Sequence, residues 1–185
     1  MRRVMLAALA VLFVGSAATT FSQSGMPTTA TFVMSEEIEK VVSAPGGGDR
    51  PVKIVDMGKY NISVAVLRRG AIKAGTPAGA INHTQVTEVY YVVSGSGTIV
   101  MGGEVTNVRP AAADSQIVKE AVGPSNNATF VKPAQTRKLS AGDMVIIPAG
   151  MYHGFSEVAD HIEYVTVRPD VEKVLPGGYV SPLLK

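Results

Sequence analysis

His83-Thr84-Gln85-Val86-Thr87-Glu88, with Gly95 after six further residues, is one of two stretches that decide how this chain is read. The other is Gly142-Asp143-Met144-Val145-Ile146-Ile147-Pro148-Ala149-Gly150-Met151-Tyr152-His153. Together they carry two imidazoles and a carboxylate. That set is used by non-haem Fe(II) centres, which leave metal positions open for substrate and oxygen. The reading therefore turns on whether the two stretches meet in space.

Outward from them the sequence is rich in strands. The spacing of apolar and β-branched residues predicts strands at 52–57, 61–67, 89–93, 98–101, 145–147 and 162–167. Residues 70–79 form a Gly/Pro/Ala loop, and Ser94-Gly95-Ser96-Gly97 reads as the turn of a hairpin. Residues 110–135 are polar and small, which predicts an insertion between two strands with a short helix at 113–121. Many short strands with glycine turns and little helix argue an all-β jelly roll or barrel. In an extended segment His83 and Gln85 share a face. Glu88 rejoins that face only through a bend, expected at Val86-Thr87. If Glu88 faces inward, Tyr90 and Val92 follow it. Phe155 shares the side of His153.

The N-terminal part has a different character. Arg2 and Arg3 precede an apolar run from Val4 to Val14, and Gly15, Ser16, Ala17 and Ala18 follow. This is the layout of a secretory signal peptide, too short for a membrane-spanning helix. A leader at residues 1–22 implies a secreted or periplasmic protein with no membrane attachment after cleavage. Of 17 basic and 15 acidic residues the leader removes two basic ones, leaving 15 of each. A neutral chain offers no basic patch for nucleic acid. No cysteine is present, which excludes disulfides, thiolate metal sites and cysteine nucleophiles. Residues 23–50 read as an arm with a short helix from Ser35, its expected N-cap, burying Ile38, Val41 and Val42 on one face. A domain at 51–170 and a tail at 171–185 complete the division.

The two stretches resemble the paired motifs of the cupin superfamily. The first is a His-x-His pair, a glutamate three or four residues on, and a glycine after six more. The second is a glycine, five residues, Pro-x-Gly, two residues, a histidine, three residues and an asparagine. His83, Glu88, Gly95, Gly142, Pro148, Gly150 and His153 match at those spacings, and the resemblance covers about residues 60–168. Gln85 stands in place of the second histidine and Glu157 in place of the asparagine, while Gly79 lies only four residues before His83. The resemblance implies a cupin (double-stranded β-helix) barrel with a short N-terminal helix and an inter-motif insertion. It implies a divalent metal on His83, Glu88 and His153, with Gln85 as a weak fourth ligand or a hydrogen-bond donor. An amide oxygen favours Fe(II) or Mn(II), and allows Zn(II). Glu88 is the candidate catalytic residue, as ligand or base. Tyr90, Tyr152 and Phe155 are candidates for lining a small-molecule pocket, and pairing of barrels implies a homodimer. The expected activity is oxygenation of a small organic molecule, of the dioxygenase type. The alternatives are a small-molecule or sugar-binding module without turnover, and a metal-dependent isomerase or lyase. His161, outside both motifs, is expected in a structural or surface role.

Overall fold

The computed structural model describes residues 26–46 and 48–185; the leader assigned to residues 1–22 lies outside them. Helix α1 covers Ser35–Val42. Eight strands follow: β1 Arg50–Asp56, β2 Asn61–Arg69, β3 Gly79–His83, β4 Glu88–Pro110, β5 Ser125–Ser140, β6 Met144–Ile147, β7 His153–Glu157 and β8 Ile162–Asp170. All pair antiparallel. The molecule is all-β with a short N-terminal helix, as expected. Among the described residues no helix is long and apolar enough to cross a membrane.

Strand β4 organises the barrel. Its first part pairs with β8 on one side and β6 on the other, within the sheet β1-β2-β8-β4-β6. Its second part pairs with β5 and β7 in the facing sheet. The hairpin turn expected at residues 94–97 is therefore corrected: the chain runs through these residues as one strand that changes sheets. The glycines serve a close approach instead. Gly95 has φ +70°, and a Cβ there would collide with the His161 backbone carbonyl, which accepts a bond from Ser96 N at 3.0 Å. The register shifts between Val92 and Ser94, where a bulge re-aims the strand. The expected insertion at 110–135 is also corrected. Only residues 111–124 connect strands; β5 begins at Ser125 and pairs with β4 and β3. The helical piece of this connection is later than expected and includes a π turn at Val118–Val122.

Alternation fills the space between the sheets. On β8 the side chains of Ile162, Tyr164, Thr166, Arg168 and Asp170 point inward and are buried. Tyr90, Val92, Ile99, Met101, Leu139, Ile147, Phe155 and Val158 join Ile162 and Tyr164 in the main apolar cluster. Each such side chain stabilises by about 1.5–3 kcal/mol when fully buried. Helix α1 lays Val41 on Val52 and Val66, with Ile38 and Val42 at the edge. Its cap differs from expectation: Ser35 is already helical, and Met34 N donates to Glu37 Oε2 at 2.9 Å. The Glu37 carboxylate reaches back to the cap residue's own N–H, which is the glutamate half of a capping box. After Asp170 the chain returns to β1, with Val180 bridging Lys53 and Leu184 against the α1 cluster.

Candidate metal centre

The first motif reaches the interior twice. His83 ends β3, and the chain then bends at Thr84 and Gln85. Both Thr84 N and Thr84 Oγ1 donate to Pro124 O, at 2.8 and 3.0 Å, which pins the bend. Val86 turns inward, 1% exposed, and Glu88 opens β4. The bend thus comes two residues earlier than expected, and Gln85 is thrown to the surface. Its assignment as a fourth ligand is corrected for that reason: it shared a face with His83 only if the chain stayed extended. The second motif is clipped to the first by backbone. Gly150, at φ +83°, donates its N–H to His83 O at 2.8 Å, and Asn82 Nδ2 donates to Gly150 O at 3.1 Å. His153 then starts β7.

These contacts bring His83, Glu88 and His153 together, each buried, with potential ligand atoms all within 4.8 Å of one another. Glu88 Oε2 lies 3.3 Å from His83 Nε2 and 3.0 Å from His153 Nε2. The outer nitrogens settle the tautomers. His153 Nδ1 donates to Met151 O at 3.0 Å. His83 Nδ1 is 2.8 Å from Ser125 Oγ, whose own proton goes to Gly123 O at 2.8 Å, so the imidazole is the donor. With neutral rings, both Nε2 atoms then carry lone pairs directed at a carboxylate oxygen. His153 Nε2 is buried and has no hydrogen-bond partner. Two lone pairs and an anionic oxygen at one point repel unless a cation shares them. The residues therefore fit a divalent metal held by two nitrogens and one oxygen.

The architecture is a barrel of two facing antiparallel sheets, the form that the resemblance of the motifs implies. Two motifs some 60 residues apart deliver their ligands to one point between facing antiparallel sheets.

Comparison with known proteins finds distant likenesses to solved structures. No family model matches the chain, and no curated protein matches it. A DMSP lyase of Ruegeria pomeroyi is similar at 16% identity and a TM-score of 0.36, over 58% of this chain and 38% of the lyase. The match thus spans well under half of that enzyme. A protein of Bacillus halodurans is similar at 14% identity and a TM-score of 0.45, over 85% of this chain and 92% of that one. A cupin protein of Bacteroides fragilis has 20% identity and a TM-score of 0.38, over 75% and 89%. At these identities the likeness carries none of their activities to this chain.

Around the centre, Tyr90 and Arg168, both buried, complete the site. Tyr90 Oη donates to Glu88 Oε2 at 3.0 Å. Burial, with the Glu88 charge beside it, pushes the phenol well above its ordinary range, so it stays a proton donor. Arg168, 0% exposed, donates from Nε to Glu88 Oε1 at 2.8 Å and also grips Asp49. Burial raises the Glu88 carboxyl, but the Arg168 charge opposes it and the group is held well below the carboxylate range. Arg168, Asp49 and Ser125 escaped the sequence reading. Arg168 had a signal, since the parity of Ile162 and Tyr164 carried two pairs further puts it inside; the expected strand stopped at Val167. Of the expected pocket residues, Tyr90 stacks on Tyr164 with ring centroids 4.4 Å apart, and Phe155 lies 5.8 Å from Tyr164. Tyr152 is half-buried and packs on the separate cluster of Ala80, Val100 and Phe130. His161 joins Ser94 and Asp160 away from the centre.

Proposed function

We propose that this chain is a metal-dependent enzyme whose cupin barrel oxygenates a small organic molecule, in the manner of a dioxygenase. The observation that carries the metal reading is the convergence of two tautomer-fixed Nε2 atoms on Glu88 Oε2. Fe(II) or Mn(II) suits two imidazoles and a carboxylate, with Zn(II) as a third candidate, and such a metal supplies open positions where oxygen and substrate meet. The protein's part is to orient and exclude. His83, Glu88 and His153 hold the metal. Tyr90, Tyr164 and Phe155 present an aromatic wall near the ligands and keep bulk water out. Burial of all three ligands favours a small substrate. Export through the leader and association as a homodimer belong to the same proposal.

Tyr90 favours a second reading. A neutral phenol beside the metal-facing oxygen can give a proton to a leaving group or enolate, which is isomerase or lyase chemistry without oxygen. Oxygen-electrode measurements on iron-loaded protein, across phenols, diketones and organic acids, separate the two. Substrate-dependent oxygen uptake supports the oxygenase. Product formation without uptake would replace it with the second reading, and a substrate bound unchanged would leave a binding module.

A further inference from the structure

Every donor of the Arg168 guanidinium has a partner. Nε and Nη2 both reach Glu88 Oε1, at 2.8 and 2.7 Å. Nη1 donates to Asp49 Oδ1 at 3.0 Å and to Ala121 O at 3.1 Å, and Nη2 also bonds Asp49 Oδ2. Three separate pieces of chain meet on this one side chain: the segment before β1, the π turn between β4 and β5, and the first residue of β4. A planar fork of this kind fixes direction as well as charge.

We infer that Arg168 and Asp49 are positioning residues that make Glu88 a one-oxygen ligand; the inference rests on the metal reading above. A free carboxylate can turn both oxygens to a cation. Here Oε1 is held by two guanidinium nitrogens, so only Oε2 faces the histidines. That leaves one more metal position open than a two-oxygen Glu88 would. Asp49 takes the adjoining Nη1–Nη2 edge of the fork and prevents Arg168 from rotating away. The arm ahead of β1 thereby contributes to the metal centre, although Asp49 lies outside both motifs and reaches Glu88 only through Arg168.

The test uses Co(II) as the probe metal, because its visible absorption reports coordination number. Full-length wild type, Arg168→Lys, Asp49→Asn and a control, Lys53→Ala, are each loaded and scanned. Lys53 pairs with Glu37 on the outside of the barrel. Arg168→Lys loses the fork, so its Co(II) bands should weaken and shift towards higher coordination, with affinity changed by about 10- to 100-fold, as for other outer partners of ligands. Asp49→Asn, which keeps shape and one acceptor, should move the bands in the same direction by less and serves if Arg168→Lys does not fold. Lys53→Ala should give the wild-type spectrum. Folded Arg168→Lys or Asp49→Asn with wild-type Co(II) bands would overturn the positioning role and leave the metal reading standing. Wild type that takes up no Co(II), iron or manganese would overturn the metal reading itself, and this inference with it.

Discussion

Ser125 is a small group with a large duty. Its hydroxyl donates to Gly123 O and accepts from His83 Nδ1, so it fixes the imidazole tautomer without touching the metal position. Ser125→Ala should weaken metal binding by about 10- to 100-fold and cost about 1–3 kcal/mol for the buried donor it strands. Competition against a coloured chelator and urea unfolding measure the two effects; unchanged affinity would mean that other contacts orient His83. Glu88 gives a pH prediction for the metal-free protein. Its carboxyl is held well below the unfolded value of about 4.3. The unfolded chain therefore binds more protons in that window, and stability present above it is lost as pH falls through the folded value. Asp49 has the opposite sign: burial raises its carboxyl, so its contribution is lost as pH rises through that value. Glu88→Gln should flatten the fall of the urea midpoint between roughly pH 5 and 3. Equal slopes in variant and wild type would contradict it.

At the scale of the element, β4 is the most instructive piece. Gly95 sits where this strand crosses between sheets, with His161 carbonyl in the space of a side chain. Gly95→Ala should destabilise by more than about 2 kcal/mol, since backbone rather than a flexible side chain must move; a urea midpoint within experimental scatter of wild type would show that the bulge can relax. The same residues show what local pattern can and cannot reveal. Glycines between two apolar runs carry the pattern of a hairpin turn, and only pairing with β8 and β5, from the far end of the chain, makes them a crossing. Gln85 was lost for a related reason: its facing depended on extension past His83, and a bond to Pro124, 40 residues on, ends that extension. Strands β1, β2, β6 and most of β8 and helix α1 were legible because alternation or helical spacing is written within each segment. Arg168 was missed because the expected strand stopped at Val167, one residue short of the position that its parity turns inward, and Asp49 because its partner lies 119 positions away.

For the whole molecule, the two motifs were readable because their spacing encodes a shared point: His83, Glu88 and His153 all arrive there. A barrel without disulfides that binds a cation in its folded state alone gains stability from it, about 2.7 kcal/mol at a free metal concentration 100-fold above Kd. Chelation should therefore lower Tm, and re-addition should restore it. The most direct measurement is the metal content of purified protein by elemental analysis, after expression with iron, manganese and zinc supplied. The account predicts close to one transition-metal ion per wild-type chain, and loss of that ion in both His83→Ala and His153→Ala. Wild type without stoichiometric metal, or both variants keeping the wild-type content, would contradict it.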